Sequence, residues 1–421
     1  MDWPCGDIGM PRALTAAMRD RSLDRLGTYG GAALLFMLAG CGSSEDGATR
    51  DVASNPAYGE SATEGDEAGT LPGPSAAPGL PSGGTLDSIA SPRPSGTSAD
   101  TPAAPAGVAP SAVPPPQVGP GTARVAPGTL TAGAWDDSRN LERFLAYRAE
   151  LFSAQTPGLL SFDEADHRAA ALEGQQPKPH ATLDVALVID TTGSMGDELQ
   201  YIQSEFDALS AAIEGQYPDA EQRWALVLYR DVGDEYVARS IDFQAAGEGF
   251  RMLLAEQSAG GGGDYPEASD AALEAMNQLR WRSDEATARL AFWVGDAPHH
   301  TDRAAALSAA IEVAHTQGVH LYPVASSGVD ELTELSMRSA AQLTLARYVF
   351  LTDDSGVGGE HKEPSIPCYF VTRLNDAILR MVDIEMSGTY REPEADQVIR
   401  TGGSPTEGAC KLESGQTVFA F

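Results

Sequence analysis

The fold is decided by residues 183–202, which read LDVALVIDTTGSMGDELQYI. An apolar, partly β-branched run ends at Asp190, and threonine, glycine and serine residues follow it. Beyond them, apolar residues recur with helical spacing from Leu199 and Ile202 onward, which predicts an amphipathic helix. The stretch therefore predicts a buried strand, a turn rich in side-chain oxygens, and a helix.

The same alternation of apolar runs and helical patterns continues along the chain. Strands are predicted near residues 183–190, 223–230, 236–242, 289–295, 319–325 and 347–352, and helices near 197–214, 266–280, 302–317 and 328–343. This order predicts a Rossmann-like, doubly wound α/β fold with a mostly parallel six-stranded sheet between helices. Because a short polar turn joins the two strands of residues 223–242, one edge strand is expected to be antiparallel.

Acidic residues stand where several predicted strands end. Asp190 ends the first strand, Asp296 follows the run LAFWVG, and Asp231 follows another strand at the rim. The carboxyl ends of parallel strands meet at one edge of a sheet, so we expect these side chains to converge. Converging carboxylates repel one another unless a positive charge joins them. The sequence therefore favours a divalent cation at this edge.

Asp190 to Ser194, DTTGS, fits the pattern D-x-[ST]-x-S and resembles the metal-ion-dependent adhesion site of von Willebrand factor type A domains. Two further stretches, GGGDYPEASDAALEAM at 261–276 and FWVGDAPHH at 292–300, resemble that family's second and third metal loops, in the expected order. The resemblance covers residues 181–386. It implies a non-catalytic module for protein binding or adhesion. The metal ligands that it implies are Asp190, Thr192, Ser194 and Asp296.

One departure from the family pattern concerns the second loop. The family usually supplies a threonine there, whereas this loop has none, and Asp264 stands closest to its place. If Asp264 binds, three carboxylates surround the ion and the site keeps a formal negative charge. Either the ion is then held firmly for structure, or a partner supplies neutral oxygens. The alternative is that Asp264 belongs to an ordinary surface loop.

The expected donors are carboxylate and hydroxyl oxygens, which suit hard cations. Mg²⁺ is the first expectation, and Mn²⁺ or Ca²⁺ fit the same donors. The partner is expected to be a protein that binds at or beside the ion. A simpler alternative for Thr192 and Ser194 is helix capping. A von Willebrand type A domain with a purely structural metal is a further alternative.

Two enzyme classes are also compatible with parts of this motif. Haloacid dehalogenase-like phosphatases would use Asp190 as a nucleophile, but they normally need a lysine, and none occurs between Lys178 and Lys362. A serine hydrolase would use TGSMG as its nucleophile turn, with His299 or His300 as the base. Thr192 would crowd that strained turn, which disfavours a serine hydrolase. The missing lysine disfavours a phosphatase.

The N-terminus resembles a bacterial lipoprotein signal. A basic stretch from Met18 leads into a short apolar run, and LAGC ends at Cys41. The run is too short to span a bilayer. Residues 1–40 are therefore interpreted as a signal peptide, with Met18 or Met10 as the start, and Cys41 as the lipidated residue. The chain beyond Cys41 would lie outside the cytoplasm in the cell envelope, and Gly42 favours the outer membrane.

Residues 41–135 are predicted to be a disordered linker. Residues 71–130 contain 14 Pro and 9 Gly but no Phe, Tyr or Trp, so they cannot bury enough apolar area to fold. A helical preamble is expected over 136–180 and a tail over 387–421. The formal net charge of −32 argues against nucleic-acid binding, because phosphate contacts need Lys and Arg.

Four cysteines complete the inventory. If Cys5 is lost with the signal and Cys41 is lipidated, Cys368 and Cys410 remain as an even pair in an oxidising compartment. They are expected to form a disulfide or to remain as two free thiols.

Overall fold

The computed structural model describes residues 129–174, 178–263, 265–355 and 361–421. The predicted signal peptide, Cys41, nearly all of the predicted linker, and Asp264 lie outside the described residues. Within the described part of the chain, no helix is long and apolar enough to cross a membrane.

The described elements alternate between strands and helices. The strands are β1 Thr131–Trp135, β2 Thr182–Asp190, β3 Gln222–Tyr229, β4 Ala238–Ala245, β5 Thr287–Gly295, β6 His320–Ala325, β7 Tyr348–Thr352, β8 Tyr369–Arg373, β9 Arg400–Gly402, β10 Ala409–Lys411 and β11 Thr417–Phe419. The helices are α1 Leu141–Ser153, α2 Glu164–Glu173, α3 Gly196–Gln216, α4 Glu248–Ala255, α5 Ser269–Asn277, α6 Ala304–Thr316, α7 Glu331–Leu343 and α8 Leu374–Ser387.

One mixed sheet forms the centre of this fold, in the order β4-β3-β2-β5-β6-β7-β1-β8-β9. Strands β3, β2, β5, β6 and β7 are parallel, and β4 pairs antiparallel with β3 at one edge. The prediction of a mostly parallel α/β sheet with an antiparallel edge strand is confirmed. The predicted number of six strands is wrong, because β1, β8 and β9 extend the sheet to nine.

Strand β1 shows why the sequence analysis did not predict all strands of the sheet. Its sequence, TAGAW, is composed mostly of small residues and lies in the range 41–135 that was assigned to the linker. It nevertheless inserts between β7 and β8, antiparallel to both. Gly133 packs directly against the ring of Phe350, so any side chain there would collide with it. Gly133, one of the small residues that hide the strand in the sequence, is therefore required by this close packing.

The core lies on both faces of the sheet, and β2 contributes to each. Val185, Leu187 and Ile189 pack with α3, α4 and α8, whereas Ala186 and Val188 face the layer of α5, α6 and α7. Because both faces are covered, β2 reads as a continuous apolar run rather than an alternating one. This burial holds the end of β2, and with it Asp190, in a fixed position.

The C-terminal residues pack onto the sheet. Strand β9 pairs with β8, while β10 and β11 form a separate hairpin. Cys368, just before β8, forms a disulfide with Cys410 of β10, with the Cα atoms 6.3 Å apart. The residues 387–421, assigned to a tail from the sequence, thus contain a strand of the main sheet and are linked covalently to it.

Cys368 and Cys410 should resist thiol alkylation in the native, unreduced protein, because the disulfide leaves neither with a free thiol. We expect the thiol reagent to leave Cys368 and Cys410 unmodified before reduction and to label both after it, as read by peptide mass spectrometry. Replacing both cysteines by serine should lower the free energy of unfolding by about 4 kcal/mol, the chain-entropy value for a bridge that spans 42 residues. Full labelling of the unreduced protein would contradict the pairing.

Candidate metal centre

Asp190 is fully buried at the end of β2, and its two carboxylate oxygens have different environments. Oδ1 accepts hydrogen bonds from the backbone N–H and the hydroxyl of Thr192, at 2.8 and 2.7 Å. Oδ2 is buried and has no partner among the described residues. One oxygen therefore fixes the turn after β2, while the other remains available to a ligand.

The hydroxyls of Thr192 and Ser194 lie beside this carboxylate. Their oxygens are 3.4 Å apart, and Asp296, which follows β5, lines the same cleft as both residues. Neither hydroxyl caps a helix, since the 3₁₀ turn Gly193–Met195 and α3 both begin without a side-chain cap hydrogen bond. The capping alternative is therefore wrong. Thr191, which the motif leaves unassigned, turns away and bonds to the carbonyl of Tyr229.

These side chains line an open cleft of about 540 Å³ at the carboxyl edge of the sheet. Its lining consists of Thr192, Gly193, Ser194, Gly261, Gly262, Tyr265, Glu267, Asp296, Ala297, Ser327 and Gly328. Thus Thr192, Ser194 and Asp296 are brought together, with Asp190 directly behind Thr192. Asp264 lies outside the described residues. Asp231 does not line the cleft, because it pairs with His300 at 2.6 Å.

Glu267 is a cleft residue that the sequence analysis did not consider. Its side chain is only 4% exposed, and Oε2 has no partner among the described residues. A Cβ placed on Gly262 would contact both Oε1 of Glu267, at 3.7 Å, and the side chain of Thr192. Glu267 therefore supplies a carboxylate from the second loop, which has no threonine. An acid directly after Pro266 in that loop was the available signal.

Burial raises the pKa values of these carboxyl groups in the absence of a cation. It raises the pKa of Asp190 to about 7, and the charges of Asp296 and Asp234 contribute to the increase. Burial and then the charge of Asp190 raise the pKa of Glu267 to about 9, and burial also raises the pKa of Asp296. Ionising all three together is unfavourable unless a positive charge lies between them.

The donor set suits a hard cation. Unpartnered, buried oxygens of Asp190 and Asp296 face hydroxyl groups, and oxygen ligands are those that Mg²⁺, Mn²⁺ and Ca²⁺ prefer. Within the described residues, no group of three His, Cys, Asp or Glu side chains is arranged to hold an ion by itself. The hydroxyls of Thr192 and Ser194 are further oxygen donors at this cleft.

The residues that the enzyme alternatives require are engaged elsewhere. Nε2 of His299 bonds to the carbonyl of Gly158 at 2.8 Å, and His300 pairs with Asp231. Of the described residues, none of those lining the cleft is a lysine or an arginine. Both histidines therefore use their Nε2 atoms in contacts within the protein.

Two features of this part of the chain indicate its class of domain. They are the doubly wound sheet and the side-chain oxygens that follow the carboxyl ends of its central strands. Residues 184–355 match the family described as von Willebrand factor A domain. This part of the chain is a von Willebrand factor A domain, and the resemblance inferred from the three loops is confirmed.

Two curated proteins are similar to part of this chain. The alpha-protein kinase vwkA of Dictyostelium discoideum is 27% identical over 120 residues, which cover 28% of this chain and 19% of the kinase. The putative ariadne-like RING finger protein R811 of Acanthamoeba polyphaga mimivirus is 30% identical over 120 residues, covering 28% and 11%. The chain thus spans less than a fifth of either relative, and the activities of those proteins are not transferred to it.

Two solved structures were also similar. The pilus adhesin SpaC from Lactobacillus rhamnosus GG, in its open conformation, has 13% identity and a TM-score of 0.30, with 40% of this chain and 27% of SpaC covered. The conserved hypothetical protein BatB from Bacteroides thetaiotaomicron has 13% identity and a TM-score of 0.33, with 50% and 100% covered. Both likenesses are too distant to support a functional argument.

The contact between the first two loops should depend on Gly262. Its φ is +73°, and an added Cβ would lie 3.2 Å from Cβ of Thr192. Gly262→Ala should therefore cost about 1–2 kcal/mol in the free energy of unfolding, measured by denaturant titration. The matched control is Gly263→Ala, where nothing lies within 4 Å and φ is not positive. Equal stability of the two variants would contradict this packing.

Proposed function

We propose that this chain is a lipid-anchored, extracytoplasmic von Willebrand type A module that mediates divalent-cation-dependent protein binding or adhesion, without catalytic turnover. The observation that carries the proposal is the convergence of buried, unpartnered oxygens of Asp190 and Asp296 with the hydroxyls of Thr192 and Ser194 at one open cleft. Partnerless buried carboxylates destabilise a fold unless a ligand uses them.

Asp190, Thr192, Ser194 and Asp296 would hold the ion, and Glu267 adjoins them. Asp264 stays a predicted ligand outside the described residues. Mg²⁺ is our first expectation, with Mn²⁺ and Ca²⁺ as alternatives. When bound, the ion supplies positive charge and an open coordination position for an oxygen of a partner protein. The chain's own residues orient the donors and exclude water from their buried oxygens.

The cell-envelope location rests on the N-terminal sequence. LAGC at residues 38–41 and the Pro/Gly-rich segment after it suit a lipid anchor followed by a tether. A flexible coil of about 90 residues, from Cys41 to the start of β1, would have a root-mean-square reach of roughly 50 Å, which would hold the folded domain clear of a membrane surface. This reach suits a binding module. We favour the outer membrane because Gly42 follows Cys41.

Magnesium should stabilise the protein through Asp190. A ligand that binds only the folded state adds about 2.7 kcal/mol at a hundredfold excess over Kd, so millimolar Mg²⁺ should raise the melting temperature. Asp190→Ala and Asp296→Ala should each abolish the increase, and the double variant should add little because both remove one site. In EDTA, Asp190→Ala should be less stable than the parent, because Thr192 loses the acceptor of two buried hydrogen bonds, so the magnesium effect is read for each variant as the difference in its melting temperature with and without Mg²⁺.

The control for this experiment is Asp197→Ala, which removes an exposed acid from the first turn of α3 and should preserve the magnesium effect. Absence of any shift in the parent protein would refute the metal site. A purely structural metal would produce the shift without any metal-dependent binding of a partner. A hydroxylamine-labile phosphoryl adduct on Asp190, formed from an acyl phosphate, would indicate a phosphatase instead.

The lipid anchor is tested separately by changing Cys41. Cys41→Ser should abolish labelling with a fatty-acid probe and release the protein from the membrane fraction of the expressing cells. Cys5→Ser is the matched control, because Cys5 lies within the predicted signal and should be removed with it. Unchanged membrane partitioning of Cys41→Ser would show that this cysteine is not the anchor.

A further inference from the structure

A second cavity lies at the opposite edge of the sheet from the candidate metal centre. Trp135 at the end of β1 pairs with Tyr348 at the start of β7, and β7 runs in the same direction as β6, β5 and β2. The cavity lies beside this pair, at the amino end of β7, whereas Asp190 lies at a carboxyl end. It is open and has a volume of about 550 Å³, which is typical of small-molecule sites. Among the residues that line this arginine cavity are Asp136, Arg139, Leu345, Arg347, Tyr390 and Phe419.

Arg139 supplies hydrogen-bond donors to the arginine cavity. Within the described part of the chain, the contacts of its guanidinium are with aromatic rings and not with a carboxylate. Its Cζ lies 4.1 Å from the ring centroid of Tyr390 and 4.8 Å from that of Phe419. Stacking of this kind orients a guanidinium and leaves the N–H groups in its plane able to donate. Such a planar group binds a carboxylate through two parallel hydrogen bonds.

Arg380 of α8 adds a positive charge behind the wall of the cavity. Its Nε and Nη1 are buried and have no partner among the described residues. The other arginines of the described structure that are no more than 9% exposed all have carboxylate partners; they are Arg230, Arg338 and Arg400. Cζ of Arg380 lies 4.3 Å from the ring of Phe421, which packs against Tyr390 of the cavity wall. Burial lowers the pKa of Arg380 to about 10, so this arginine stays protonated at neutral pH.

The acidic residues at the cavity are already bound to groups of the protein. Asp136 lines the cavity, and its oxygens accept the backbone N–H of Arg139 at 2.9 Å and Nε of Arg347 at 3.2 Å. Glu385 lies behind Arg347 and pairs with it at 3.3 Å. Glu385 also pairs with His320 at 2.9 Å, and that histidine adds a positive charge only when it is protonated. Arg347 is thus balanced by two acids, whereas Arg139 has none.

The formal charges around the cavity decide which anion fits. Besides Asp136 and Glu385, the charge of the exposed Glu392 acts on Arg380, so three acids oppose three arginines. A phosphate with two negative charges would therefore gain no net attraction and would be repelled by Asp136. A single carboxylate carries less charge, and the group nearest to it would be Arg139. The balance therefore favours a monoanion.

We propose that the arginine cavity binds a small organic monocarboxylate with an aliphatic or aromatic body. The carboxylate would accept the N–H groups of Arg139 and the hydroxyl of Ser138, which also lines the cavity. The apolar body would lie against Leu345 and the ring of Phe419, which is 39% exposed. This site goes beyond the proposed function and requires no metal ion.

The test uses ligand-observed NMR on the detergent-solubilised full chain, in buffer freed of divalent cations with a chelating resin. The probes are a fragment set of aliphatic and aromatic monocarboxylates, each paired with the primary amide of the same shape, and phenyl phosphate as the dianion. We expect the tightest carboxylate to bind with a Kd below about 1 mM and about fivefold or more tighter than its amide and phenyl phosphate. Equal binding of the amide, or no saturable binding of any carboxylate, would overturn the inference.

Variants then locate the bound carboxylate. Arg139→Gln should weaken binding of the tightest carboxylate about fivefold or more, and Arg139→Lys should weaken it less because the charge remains while the planar donor group is lost. The matched control is Arg143→Gln, at an arginine of α1 that does not line the cavity. It should bind as the parent does, and the melting temperature of each variant verifies its folding. Parent-like binding by a folded Arg139→Gln would show that the carboxylate binds elsewhere.

Asp190→Ala separates this site from the candidate metal centre. In the metal-free buffer it should bind the carboxylate as tightly as the parent does, because the two sites lie at opposite edges of the sheet. Loss of carboxylate binding in Asp190→Ala would assign the ligand to the metal centre and would overturn this inference. The absence of a magnesium-induced shift in the parent would count against the proposed metal-dependent function alone.

Discussion

The site depends on the hydrogen bonds that Oδ1 of Asp190 accepts from the backbone N–H and hydroxyl of Thr192. These two bonds close the turn after β2 and direct Thr192 toward Ser194. They also leave Oδ2 without a protein partner among the described residues. Because β2 is packed on both faces, the turn cannot shift without disturbing the core. The fold thus presents a carboxylate whose second oxygen is available at a fixed position.

Several buried charges elsewhere in the described structure are compensated by ion pairs. Asp184 is fully buried and pairs with Arg223 and Arg282. Arg338 is equally buried and binds both Asp137 and Glu334, so that it joins the segment after β1 to α7. The acids around the cleft have no such basic partner on their free oxygens among the described residues, which is the arrangement found at many functional sites.

The sequence predicted those parts of the fold that have a strong local pattern. Long apolar runs marked β2, β3, β5, β6 and β7, because strands covered on both faces need such residues. Strand β1 was missed because its small residues carry meaning only through contact with a distant ring, that of Phe350. Strand β9 has only three residues, too few for a periodic signal.

The candidate site also contains residues with a local sequence pattern and residues that only distant contacts make recognisable. Asp190, Thr192, Ser194 and Asp296 could be identified because their order and spacing resemble a family motif. Glu267 had only the weak signal of an acid after Pro266, because an acid in a loop becomes notable only when its burial and its neighbours are known. Asp231 illustrates the converse: its position at a strand end was clear, but its pairing with His300 depends on how two distant loops meet.

Strand β1 has a mechanical consequence. It begins beside the carboxyl end of β7, since Thr131 pairs with Thr352, so the preceding polypeptide joins the domain at the edge that contains the cleft. Three strand spacings, roughly 15 Å, separate β1 from β5. In a chain anchored through its N-terminal segment and bound at the cleft, the line between the two attachment points would run across the strands, so tension would peel β1 from its first residues. Anchor and bound partner would then pull on the same edge, and the force between them would bypass most of the domain.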